Sequence, residues 1–160
     1  MSLQTWLDEF YPVRAEVLEP KATVVELLLH ALQKWRGLTT ENLGRHGVVC
    51  SERRVHADET TAYLDIDDLS CPLCARFHSE SRRCGDCPLV LLRGKSCDRT
   101  LKEEVRSPWA SFRYERDPTP MIRLLEQALE RERGVKCPKV CPECGNLVPV
   151  SSTPSPVGTR

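Results

Sequence analysis

Nine cysteines stand at positions 50, 71, 74, 84, 87, 97, 137, 141 and 144, and seven of them fall in tight clusters. A thiolate is a strong ligand for zinc, and a two-residue spacer turns two thiolates toward one point. The first cluster is Cys71-x2-Cys74, a spacer of nine residues, then Cys84-x2-Cys87. Four such sulfurs close a tetrahedron and leave no open position, which is the arrangement of a structural zinc. Disulfides fit this pattern poorly, because an extracellular framework spreads its cysteines, uses an even number and follows an export signal. Met1 to Glu9 carry neither a basic stretch nor a long apolar run, so no export signal is expected. The expected setting is therefore a reducing cytoplasm, where thiols stay available as ligands.

An iron–sulfur cluster is the alternative cofactor. Cys84-Gly85-Asp86-Cys87-Pro88 places a proline directly after a cysteine, as cluster-binding segments often do. Cys97 is a fifth thiol able to replace any of the four, and His78 is a nearby donor read here as a loop histidine. The second cluster, Cys137-x3-Cys141-x2-Cys144, offers three more ligands. Its Cys141-Pro142-Glu143-Cys144-Gly145 resembles the knuckle of rubredoxin-like and zinc-ribbon sites, where glycine lets backbone amides turn toward sulfur. A second zinc there needs one outside ligand, with Cys97 the first choice and Cys50 or a histidine behind it. The expected cofactor is Zn2+, one or two ions per chain.

Other constellations are weaker. Asp65, Asp67 and Asp68 have the chemistry to hold Mg2+ as nuclease carboxylates do, but no partner acid or lysine follows at a recognisable spacing. His46, Cys50 and His56 include a nucleophile and bases, with nothing in the sequence to orient them. Arg93-Gly94-Lys95-Ser96 has the ending of a phosphate-binding loop, yet Leu89 stands where its first glycine belongs. Arg82, Arg83, Arg93, Lys95 and Arg99, with Phe77 nearby, form a candidate basic face for nucleic acid.

These groups must be held by something, and the apolar pattern says what. Thr23-Val24-Val25-Glu26 has the spacing of a capping box. Val24, Leu28, Ala31, Leu32 and Trp35 follow at helical intervals, with Gly37 as the stop, so a helix is expected over about 23–37. A second long helix is expected over about 118–133, carried by Met121, Ile122, Leu124, Leu125, Ala128 and Leu129. Shorter helices are expected at 5–11 and 40–46, and Ser107-Pro108-Trp109 reads as a helix start. Short strands are expected at 48–50 and 62–66, and Leu89 to Leu92 as a strand or buried turn among the ligand loops. The implied organisation is a helical part at 1–47, a metal-binding region at 48–106 and helices at 107–134. A second knuckle at 135–150 and a disordered tail at 151–160 follow, with 1–150 as one compact domain. The expected fold is α+β, mostly helical and irregular, organised around zinc knuckles.

Composition narrows the function. Basic and acidic side chains balance at 23 each, which excludes a polycation. The balance is local, however, because residues 1–70 carry 7 basic and 12 acidic groups while residues 71–160 carry 16 and 11. No apolar run reaches the roughly 20 residues of a membrane span.

One further pattern joins several of these pieces. Lys34-Trp35-Arg36-Gly37-Leu38, the pairs Cys71-Pro72-Leu73-Cys74 and Cys84 to Pro88, Gly94 with Cys97, Ser107-Pro108-Trp109 and Asp117-Pro118-Thr119-Pro120-Met121 occur in this order. Over residues 34–130 the chain resembles small cysteine-rich proteins of unknown function encoded by phages, prophages and bacteria. That resemblance implies a metal-organised fold and a viral setting, and it implies no activity; the knuckle at 137–144 is not part of the pattern. The function expected from all of this is a structural-zinc module that binds another protein, a host protein if the viral setting holds. A nucleic-acid-binding zinc protein and a metal-dependent nuclease are the rival readings.

Overall fold

The computed structural model describes residues 2–57, 62–78, 84–102 and 104–134. The second knuckle (Cys137, Cys141 and Cys144), the tail expected at 151–160, and Arg82 and Arg83 of the expected basic face lie outside the described residues.

Eight helices and three strands are described, and the fold is α+β. They are α1 (Leu3–Phe10), α2 (Ala15–Leu18), α3 (Val24–Gly37), α4 (Thr40–His46), β1 (Val49–Ser51), β2 (Arg54–His56), β3 (Tyr63–Asp65), α5 (Pro72–Phe77), α6 (Pro88–Arg93), α7 (Pro108–Glu115) and α8 (Thr119–Glu132). Among the described residues no helix is long and apolar enough to cross a membrane.

Helix α3 is the central element, packing against α1, α4, α5 and α8. Its start is the capping box expected from the sequence. Glu26 N donates to Thr23 Oγ1 at 3.3 Å, and Thr23 N donates to Glu26 Oε2 at 2.7 Å. Leu27, Leu28, Ala31, Leu32 and Trp35 are buried along it. Gly37 ends the helix as expected, and it also has a packing role. It is the last residue of the helix, and a Cβ there would lie 2.5 Å from Phe10 Cγ and 2.8 Å from Trp6 Cζ2. The glycine is needed because α1 crosses at that point, where Trp6 Nε1 donates to the Gly37 carbonyl at 2.9 Å.

Met121, Leu124, Leu125, Ala128 and Leu129 are the buried face of α8, while Ile122 is only partly covered. Helix α7 begins with Ser107 capping Ala110 N and Pro108 in the first turn, so that Phe112 meets Trp35 edge-on at 4.9 Å between ring centres.

The three strands make one antiparallel sheet in the order β1-β2-β3, with Cys50 opposite Val55 and Val55 opposite Leu64. Strand β2 has no counterpart in the sequence reading. It is joined to β1 by Glu52 and Arg53, whose φ values of 46° and 68° form the two-residue turn that suits the twist of a hairpin.

The segment from Cys71 to Cys97 is more regular than expected. Leu89 to Leu92 belong to a helix, α6, and not to a strand or turn, because Pro88 opens it at a position where a missing N–H costs nothing. Helix α5 starts in the same way: Cys71 and Cys87 are the N-caps, and Pro72 and Pro88 follow them. One hydrophobic cluster runs from Leu3 to Leu129 and takes in Leu73, Cys87 and Leu89 from this segment.

Candidate metal centre

The two short helices bring Cys71, Cys74 and Cys84 to the wall of one cavity, with Cys87 buried nearby. Cys71 caps α5 and Cys74 lies in its first turn, while Cys84 precedes the Cys87 cap of α6 by one tight turn. In that turn Cys87 N donates to the Cys84 carbonyl at 3.0 Å, and Cys84 holds a left-handed φ of 64°. A non-glycine residue in that region is strained, and such strain persists only where the surroundings enforce it.

Cys97 arrives on the loop after α6, and that loop is clasped from inside. Arg93, with a side chain only 5% exposed, pairs with Glu104. Arg93 Nη1 also donates to the Ser96 carbonyl at 2.8 Å and to the Arg99 carbonyl at 2.7 Å. Trp109 N then donates to the Cys97 carbonyl at 3.1 Å, tying the loop to α7. Arg93 is therefore an internal strut and not part of the expected basic face.

Cys71, Cys74, Cys84 and Cys97 share the wall of one cavity of about 990 Å³ with Lys34, Trp35 and Leu73. Cys87 is buried close by, within electrostatic reach of Cys71 and Cys84. At the mouth stand Arg53, Lys95 and Arg99 together with Asp68 and Asp98, so the rim is of mixed sign. His78, expected as a loop histidine, caps the end of α5, and its Nδ1 lies 3.2 Å from Cys84 Sγ.

The thiols perturb one another. A hydrogen bond from Cys74, assisted by the Lys34 charge and two backbone amides, brings the Cys71 thiol down to about 6 in spite of burial. The same hydrogen bond pushes Cys74 strongly up. Burial, with the neighbouring thiols adding to it, takes Cys87 to about 11 and Cys97 to about 12, and raises Cys84 as well. Crowded thiols of this kind resist ionising together unless a cation neutralises them, and a divalent metal does so by displacing their protons. Among the described residues no three His, Cys, Asp or Glu side chains converge closely enough to hold a metal ion. The sulfurs line the wall of the cavity and do not meet at a point within it.

Lys34 is the residue that the sequence pattern did not single out as part of the site. It is 1% exposed, and its Nζ donates to the Ser70 carbonyl at 2.6 Å and to Ser70 Oγ at 3.0 Å. Burial pushes its ammonium down, opposed by Cys71, Cys74, Asp67 and Cys97. A signal was present in its position, because Lys34 lies three residues after Ala31 and four before Leu38, on the apolar arc of α3.

Of the remaining candidates, Asp67 and Asp68 also line this cavity and the others lie elsewhere. Asp65 pairs with Arg54 at 3.0 Å, and Asp67 accepts from Ser70 N at 3.0 Å, so these carboxylates hold strand and loop. His46 lies between Thr5 Oγ1 and Glu9 Oε2, each at 3.0 Å, and joins α4 to α1. His56 Nε2 meets Ser51 Oγ at 2.7 Å across the hairpin, and Cys50 is half-buried on β1. Comparison with protein-family models, with curated proteins and with solved structures gives no match to this chain, so the chemistry of the centre is read from its own residues.

Proposed function

We propose that this chain is a metal–thiolate binding module, in which zinc held by Cys71, Cys74, Cys84 and Cys87 fixes a surface that recognises another protein. The observation that carries this reading is that Cys71, Cys74, Cys84 and Cys97 line one cavity, with Cys87 buried close by. Three segments of the chain are needed to produce it. Closure on a metal then requires the sulfurs to turn inward from the wall as their protons leave, which couples binding to ordering of the loops. Four thiolates leave zinc no site for substrate, so the metal serves structure.

A protein partner is favoured by what the ligand segments display. Leu69, two residues before Cys71, is 78% exposed, and Val105, on the segment between α6 and α7, is 97% exposed. Large apolar side chains held in water suit a protein surface better than a phosphate backbone. If the likeness to phage-encoded proteins holds, the partner is a host protein, a step taken by analogy. Cys137, Cys141 and Cys144 belong to the same proposal as a second zinc site, needing a ligand from outside their own cluster.

Elemental analysis with native mass spectrometry tests the reading. At least one zinc per chain is expected, lost on Cys71→Ser or Cys87→Ser. A brown protein with iron and acid-labile sulfide would replace zinc by a cluster, and a folded protein free of metal would end the proposal. A chain ending at Gly134 should hold one ion fewer than the full chain if the second knuckle is loaded. For the partner, tight salt-dependent binding to duplex DNA would favour nucleic acid instead. Mg2+-dependent cleavage abolished by Asp67→Ala would establish the nuclease.

A further inference from the structure

The buried lysine deepens that reading of the same cysteine cavity, and it rests on it. An ammonium taken fully out of water is costly unless an opposite charge or a full set of acceptors replaces the water. Lys34 has two acceptors, both on Ser70, for its three N–H groups. Among the described residues it belongs to none of the ion pairs; Asp67, whose Oδ1 accepts from Ser70 N, shares the cavity and opposes its charge only from beyond ion-pair distance. Lys34 Nζ also stands 5.8 Å over the Tyr11 ring, a partial offset to its burial, and otherwise faces the cavity walled by Cys71, Cys74 and Cys97. A metal held by four thiolates carries a formal charge of about −2, because four single negative charges outweigh one divalent cation.

We propose that Lys34 is the charge-compensating partner of the metal–thiolate centre, its remaining N–H directed to a metal-bound sulfur. A charge-assisted N–H to sulfur contact would stabilise the anionic centre, and the centre would give the buried ammonium its counter-charge. Lys34 is thus a positioning residue: it acts on the metal through its ligands. The coupling also runs the other way. Without metal, Lys34 is left with Asp67 and the Cys71 thiol to oppose its charge, a weaker compensation within the core that α3 otherwise builds from Leu27, Ala31 and Leu38.

The test is zinc affinity, measured by competition with a chelator, for the wild-type chain, Lys34→Met and Lys34→Gln. Methionine keeps the apolar stem, and glutamine keeps a donor for Ser70; both remove the charge. Each variant is expected to bind zinc at least tenfold more weakly, a change of about 1.4 kcal/mol. Metal-free Lys34→Met should be at least as stable to urea as the metal-free wild type. If wild type holds zinc and both variants hold it equally tightly, the inference is wrong while the metal reading stands. If Lys34→Met is less stable than wild type without metal, or fails to fold, Lys34 is a structural strut and the inference is again wrong. A wild-type chain that binds no thiolate-seeking metal overturns the inference and the metal reading together.

Discussion

His30 shows how a single buried group writes itself into the behaviour of the whole chain. Its Nε2 lies 2.7 Å from the Val13 carbonyl, so that nitrogen carries the proton, and Nδ1 is buried without a hydrogen-bond partner among the described residues. Protonating Nδ1 would place an unpartnered charge beside Tyr11, whose ring stands edge-on at 5.1 Å, and near Lys34. Burial accordingly lowers the imidazole below its ordinary 6.5. The unfolded chain then takes up this proton more readily than the native one, so the contribution to stability is full above 6.5 and is lost as the pH falls through the lowered native value. Urea titrations at neutral and mildly acidic pH should give a smaller acid loss for His30→Gln than for wild type; equal losses would contradict this. Gly37 has an equally local reading. Gly37→Ala forces a methyl into Phe10 and Trp6, and should cost about 1–3 kcal/mol because a well-packed contact cannot absorb it. An unchanged melting temperature would show that α1 gives way. At this scale type and spacing marked the paired cysteines in the sequence, and the structure sets Cys71, Cys74, Cys84 and Cys97 around one cavity. Lys34 was not legible, because a lysine on a helix is solvated in most contexts and only the packing of α5 over α3 removes its water.

Among the elements, what could be read in advance was what carries its own local signals. Helix α3 has its capping box and α8 its apolar stripe, and both span 14 residues, long enough for periodicity to speak. Helices α5 and α6 are six residues each and open on a cysteine followed by proline, so ligand spacing obscured a helix start that Pro72 and Pro88 do mark. The hairpin was hidden for a different reason. A two-residue turn with positive φ at both positions normally announces itself as Asn-Gly, and here it is Glu52-Arg53. Each of these residues bears the left-handed penalty of roughly 1–2 kcal/mol. Glu52→Asn combined with Arg53→Gly should therefore raise stability by about 1 kcal/mol, read as a shift in the urea midpoint with unchanged slope. A loss would mean that the Arg53 side chain, which stands at the mouth of the cysteine cavity, outweighs the strain of its backbone.

For the molecule as a whole, apolar packing is unevenly shared. Trp6, Leu27, Leu28, Phe112 and Leu125 are fully buried, and all belong to α1, α3, α7 or α8. The cysteine segment adds Leu73 and Leu89 to that core and otherwise presents thiols, turns and the cavity itself. Two six-residue helices lie far below the length at which a helix holds on its own, so their order must come from contact with α3 and α8 and, on the proposed reading, from the metal. Removing the metal should therefore act regionally. Amide hydrogen exchange on the full chain, before and after chelation, is expected to show protection lost in α5, α6 and the Cys97 loop. Protection in α3 and α8 should fall far less, because local opening draws on the contacts of the segment that opens. The hairpin is the informative boundary. Ile66 N donates to the Arg53 carbonyl at 2.6 Å, tying the strand β3 exit to the turn, while Ser70 connects the same stretch to Lys34. If Lys34 loses its counter-charge with the metal, the loosening should pass through Ser70 into residues 66–70 and stop before Val55, which is fully buried. Uniform loss of protection through α3 and α8 would instead make the metal the keystone of the entire core. No change anywhere would mean that packing alone orders the cysteine segment, and that zinc, if it binds, has another task.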